Sequence, residues 1–113
     1  MNMVVLRGRV AAAPQWYDTR EGGRVAGFDL VIEAASGRER VPVSFGDPPG
    51  WVADLAPYDE LAVRGRVRKR FVRVGSVSRP FTDVVVEHAV RAGRRRQVEQ
   101  LVARAIEQLD PAT

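Results

Sequence analysis

Cysteine is absent from the 113 residues, so no disulfide and no thiolate metal site can form. Histidine occurs once, at His88, and Ser36, Ser44, Ser76 and Ser78 have no histidine near them in sequence. Catalysis by a nucleophile, an imidazole or paired carboxylates needs such groups brought together at usable spacing. The chain has no G-x-x-x-x-G-K-[ST] phosphate loop, and Arg7-Gly8-Arg9 or Arg64-Gly65-Arg66 holds too little glycine to cradle a nucleotide. No enzyme activity, cofactor, metal or small-molecule substrate is expected. Long apolar runs are also missing. The N-terminal run is broken by Arg7, too early for a signal-peptide core or a membrane span, so a cytoplasmic protein without a membrane partner is expected.

Lysine is nearly absent as well. Lys69 is the only one among 18 basic residues, and the rest are arginine, whose planar fork matches phosphate oxygens better than an ammonium does. The formal net charge is +4, with its sign segregated along the chain. From Asp47 to Glu60 there are acids and no base; from Leu61 to Pro80 there are bases and no acid. Within the basic block, Val63 to Val74 alternates apolar and basic residues at strand spacing, which predicts Arg64, Arg66, Arg68 and Arg70 on one face. Such a ladder has rungs about 7 Å apart, close to the phosphate spacing of an extended nucleic-acid strand.

Turn signals divide the chain into five strands. Met3 to Val10 is the first. The chain reverses between Ala11 and Gly23, and Arg24 to Glu33 is the second, where Gly27 is expected to mark a bulge or bend. Arg38 to Phe45 is the third, with Pro42 expected at an edge or a bulge. A short helix over Trp51 to Leu55 follows, with Trp51 expected in the core. Leu61 to Val74 is the fourth strand, Gly75 to Pro80 a turn-rich loop, and Phe81 to Val90 the fifth. Beyond Gly93, the spacing of Val98, Leu101, Val102, Ala105, Ile106 and Leu109 predicts an amphipathic helix stopped by Asp110-Pro111, with Arg94, Arg95 and Arg96 in its first turn. The expected fold is all-β: a five-stranded barrel of the oligonucleotide/oligosaccharide-binding (OB) type over residues 1–92, with its short helix between strands three and four, then a helix and tail over 93–113.

The order of local patterns also resembles the bacterial single-stranded DNA-binding protein family. The likeness runs through Val4-Val5-Leu6-Arg7-Gly8, Pro14, Tyr17, Gly22-Gly23, Val25-Ala26-Gly27-Phe28-Asp29-Leu30, Val41 to Gly46, Tyr58 to Arg70, and Thr82 to Val86, covering roughly residues 2 to 92. The resemblance implies a homo-oligomer, dimer or tetramer, that coats single-stranded DNA during replication, recombination or repair, with RNA an open alternative. Proteins of this kind combine a basic groove with aromatic platforms, each stacked base worth about 1–3 kcal/mol. By position the resemblance offers Phe45 and Phe71 for stacking. The residues themselves offer Arg64, Arg66, Arg68, Lys69, Arg70 and Arg73 for phosphate, with Arg7 and Arg9 behind them, and Trp16 and Tyr17 as further rings.

Three departures from the family pattern shape these expectations. The match near Phe71 is one residue out of register, and strict alternation places Phe71 opposite the arginine face, so a bulge or the strand's exit from the barrel would have to reconcile them. The hairpin that usually carries tryptophans is reduced to Ala34-Ala35-Ser36-Gly37, which predicts thinner stacking and weaker, more salt-sensitive binding. The acidic tail that recruits other replication proteins has no counterpart, so a divergent short member is expected, without that recruitment. The competing reading is an OB-fold adaptor, like primosomal relatives of the family, that binds a protein partner and nucleic acid only weakly.

Overall fold

The computed structural model describes residues 2–93 and 95–109. Strands β1 (Val4–Val10), β2 (Gln15–Asp18), β3 (Arg24–Ala34), β4 (Gly37–Gly46), β5 (Glu60–Val74) and β6 (Val77–Arg91) form one sheet in the order β1-β5-β6-β4-β3-β2. A 3₁₀ helix, Gly50–Asp54, joins β4 to β5, and α1 (Arg95–Leu109) follows β6. Pairing of Arg9 and Val10 with Val31 and Leu30 brings β1 back onto β3, which closes five strands into a barrel and leaves β2 appended to β3. The β4–β6 pair is parallel and the others are antiparallel.

Alternation explains which residues fill the barrel. Ala26, Phe28 and Leu30 of β3, Val43 and Phe45 of β4, Leu61 and Val63 of β5, and Val84 and Val86 of β6 all point inward and are buried. Val52 and Leu55, from the 3₁₀ helix and its exit, complete this core, and Trp51 packs against it as expected. Burying each large aliphatic chain contributes about 1.5–3 kcal/mol. Closure depends on Gly8: a Cβ there would lie 2.7 Å from the Val31 carbonyl oxygen, so only glycine lets β1 cross from β5 to β3.

Helix α1 lies on the outside of the barrel. Leu101 is buried with Ala62 of β5 and Val90 of β6, and Ala105 is also buried. The apolar stripe read from the sequence is therefore divided, because Val102, Ile106 and Leu109 remain exposed. Arg94 and the Asp110-Pro111 stop lie outside the described residues. No helix among those residues is long and apolar enough to cross a membrane.

Three local expectations need correction. A sixth strand, β2, occupies part of the stretch read as a reversal; four residues beside Pro14 are too few to show a period. Gly75 to Pro80 is not a loop: Gly75 and Ser76 alone make the turn, with Gly75 at φ +64°, and β6 begins at Val77. Pro80 is accommodated because β6 pairs with β4 only at Val84 and Val85. Gly27 marks no bulge, since it pairs in register with both Gln15 and Ser44. The bulge lies instead between β5 and β6, where the register passes from Arg64–His88 to Gly65–Val86 and leaves Glu87 unopposed.

Candidate nucleic-acid interface

A groove of about 880 Å³ lies on the outer face of β2, β3, β4 and β6. Cross-strand register sets its floor. Gln15–Gly27–Ser44 and Asp29–Pro42 are opposed rows, and Ser44 reaches β6 beside Val85. Residues of one row point to one face, so the outward side chains of four strands line a single trough. Tyr17 stands at one side, 56% exposed, with its ring over Gly27, where a Cβ would lie 3.1 Å from the ring Cε2. Glycine at 27 thus leaves room for the ring rather than bending the strand.

Arg68, Arg70 and Phe81 stand at the other side. Register places Arg68 opposite Asp83, and Arg70 opposite Phe81. Arg68 grips Asp83 with two prongs, Nε to Oδ1 at 3.0 Å and a terminal nitrogen to Oδ2 at 2.7 Å. The Ser44 hydroxyl donates to Oδ2 at 2.8 Å, and a terminal nitrogen of Arg70 lies 3.9 Å from the same oxygen. Asp83 is only 1% exposed. Burial pushes its carboxyl up, but the hydrogen bonds from Arg68 and Ser44 and the charges of Arg68 and Arg70 outweigh that, so it lies below the ordinary carboxylate range. The Arg68 guanidinium is correspondingly raised by its hydrogen bond to Asp83. Arg70 also stacks on the Phe81 ring, 5.4 Å from its centre.

The groove is therefore mixed in charge. Arg40, Arg68 and Arg70 line it together with Asp29 and Asp83, and Arg40 pairs with Asp29 at 3.3 Å, which leaves one net positive charge. Arg70 is the lining cation least committed to a partner.

Beyond the groove, β5 and β6 run on as a two-stranded arm in which every residue from 69 to 82 is exposed. Arg66 lies at its base, and Lys69, Phe71 and Arg73 lie along it on the strand parity opposite to Arg68 and Arg70. Phe71 is 70% exposed, on the face turned from the groove, in keeping with strict alternation.

The arginine ladder is thus broken into parts. Arg68 and Arg70 line the groove, whereas Arg64, beside the bulge, lines a separate depression against α1. Phe45 is withdrawn as a base platform: its ring is buried in the barrel core, because its parity matches Val43. Trp16 points inward from β2 and packs against the same core, with Arg24 stacked on it at 4.6 Å. Arg7 pairs with Glu60 at 2.9 Å, and Arg9 donates to the Tyr58 carbonyl oxygen at 3.3 Å; neither lines the groove.

Sequence reasoning missed Phe81, Asp83 and Arg40. The signal for Asp83 was present, as the first acid after the basic run, but its role depends on its being directly across from Arg68. Among the described residues, no group of histidine and carboxylate side chains could hold a metal ion.

Comparison with known proteins places the fold. A crystal structure of a deletion mutant of the single-stranded DNA binding protein from Thermus aquaticus superposes with a TM-score of 0.67 at 24% identity, over 80% of this chain and 40% of that one. The chain is an OB-fold. Closed barrel, the parallel β4–β6 pair and the short helix before β5 all agree with it. The chain spans about 40% of the length of that neighbour. No family model matches the sequence, and no curated protein matches it.

Proposed function

We propose that this protein binds single-stranded nucleic acid without sequence preference, DNA foremost, in support of replication, recombination or repair. The observation that carries the reading is the groove in which exposed Tyr17 and Phe81 rings flank Arg70 and the Arg68–Asp83 pair. Rings of this kind present π-faces to bases of any identity, while guanidinium groups engage the backbone. Arg66 at the base of the exposed arm and Arg79 on it add cations, and Lys69, Phe71 and Arg73 lie together on the arm's other face. The fold neighbour, whose name states single-stranded DNA binding, supports the same reading. Binding is non-catalytic and needs no cofactor. A homo-oligomer that brings several grooves together would add their weak affinities.

The test titrates fluorescent oligo-dT, oligo-rU and duplex at several salt concentrations with wild type and Phe81→Ala. Micromolar or tighter binding of single strands, weakened by Phe81→Ala and poorer for duplex, is the expected result. Equal affinity for duplex, or only millimolar affinity at low salt, would overturn the reading. Tighter binding of oligo-rU would reassign the groove to RNA.

A further inference from the structure

A second depression, of about 810 Å³, lies between the barrel wall and α1 and meets the groove at Gly46. Arg64 enters it from β5, beside the bulge. Its Nε is buried and has no hydrogen-bond partner, the only such side-chain atom among the described residues. A buried donor left unpaired is destabilising, and the remainder of the Arg64 guanidinium lines the depression. His88, directly opposite Arg64 in the ladder, lines the same space, as does Arg104 from α1. Neither Arg64 nor Arg104 forms an ion pair among the described residues.

Two carboxylates are also in the lining, and their placement decides the polarity. Asp47 accepts the backbone N–H of Arg24 through Oδ1, so that oxygen is engaged at the rim. Glu87 is exposed at the unopposed bulge position. Gln97 and Gln100 supply amide donors from the helix side. Set against these two carboxylates are two guanidinium groups and the His88 imidazole, in a concavity with an aromatic wall at Trp51.

We infer that Arg64, His88 and Arg104 form a phosphate-type oxyanion site separate from the groove. A guanidinium fork with a buried free N–H is matched by the oxygens of a phosphate group. That group could belong to the backbone of a strand continuing past Gly46 or to a free phosphate compound, and the chemistry at Arg64 is the same.

The test follows Trp51 emission and melting temperature while inorganic phosphate or pyrophosphate is titrated into the full chain. It also measures the salt dependence of oligo-dT binding at about 4 and about 16 nucleotides. Wild type is compared with Arg64→Gln, Arg64→Lys and Arg104→Gln, the last at an exposed helix position that leaves folding intact. A saturable pyrophosphate response, weakened about tenfold or more by Arg64→Gln and by Arg104→Gln and partly kept by Arg64→Lys, is expected. If a strand phosphate is the occupant, Arg64→Gln also makes the salt slope shallower by about 0.7 for the long oligomer alone. If a free phosphate compound is the occupant, the slopes stay equal while the anion response is lost. No saturable anion response, together with equal slopes in wild type and variants, would overturn the site. Should wild type bind no oligonucleotide, the single-strand reading falls and the anion titration alone decides this one.

Discussion

At the scale of single residues, three rings of similar chemistry have different fates. Phe45 is sealed in the core while Tyr17 and Phe81 face the groove. Phe45→Ala should leave a cavity and destabilise the barrel by about 3–5 kcal/mol in a denaturant melt. Tyr17→Ala and Phe81→Ala should melt close to wild type and each weaken oligo-dT binding by about 1–3 kcal/mol, read by anisotropy. A large loss of affinity in a folded Phe45 variant would contradict this division. Asp83 has two roles: it orders Arg68, and it withholds that cation from a ligand. Asp83→Asn should steepen the salt slope by about 0.7, one phosphate contact, while costing about 1–3 kcal/mol of stability. Because the folded carboxyl lies below its unfolded value of about 3.9, its contribution is complete above that pH and is lost as pH falls through the lower, folded value. The stability gap between wild type and Asp83→Asn should therefore be full above about pH 4 and close as the pH falls further, and oligonucleotide binding near neutrality should show no titration from this group.

At the scale of elements, the arm and the barrel are separable. Arg68 and Asp83 are cross-strand neighbours, so an Asn-Gly turn joining them directly would replace residues 69–82 with a two-residue hairpin. None of the removed residues is buried, so the melting temperature should change little. Affinity for oligo-dT should fall about tenfold or more, because Arg70 and Phe81 go with the arm. Unchanged affinity would show that the groove floor binds alone. Gly65 lies in the barrel below the arm: a Cβ there would overlap the Val85 carbonyl oxygen, so the close approach of β5 to β6 at the bulge requires glycine.

At the scale of the whole molecule, the barrel was legible because its inward residues alternate within each strand: Val25 to Ile32, Val41 to Phe45 and Leu61 to Val67 show the period without knowledge of their neighbours. The site was less legible because it depends on neighbours. Arg68 reads as a free cation until Asp83 is placed opposite it, and Phe45 reads as a platform until its parity is tied to the core. The register shift beside Arg64 comes from an extra residue on β6, Glu87, which no local motif in β5 announces. Since two carboxylates, Asp29 and Asp83, offset two of the groove's three cations, the net phosphate contact is small. The salt slope of log K for oligo-dT should lie between about −1 and −3, equivalent to roughly two to four contacts, and a slope beyond about −5 would mean several grooves acting together.

One feature of the arm reaches beyond binding. From 69 to 82 it has only its own two strands, so each presents an uncovered backbone edge of the sort that zips onto a copy of itself, and Val72, Val74 and Val77 are exposed there. Mutual repulsion among Lys69, Arg70, Arg73 and Arg79 opposes that zipping in dilute buffer. Screening by concentrated electrolyte removes the repulsion, and so would a polyanion lying along the arm. Light scattering of the nucleic-acid-free protein should accordingly grow with ionic strength, and a signal that stays flat would show that the edges are guarded by something other than charge.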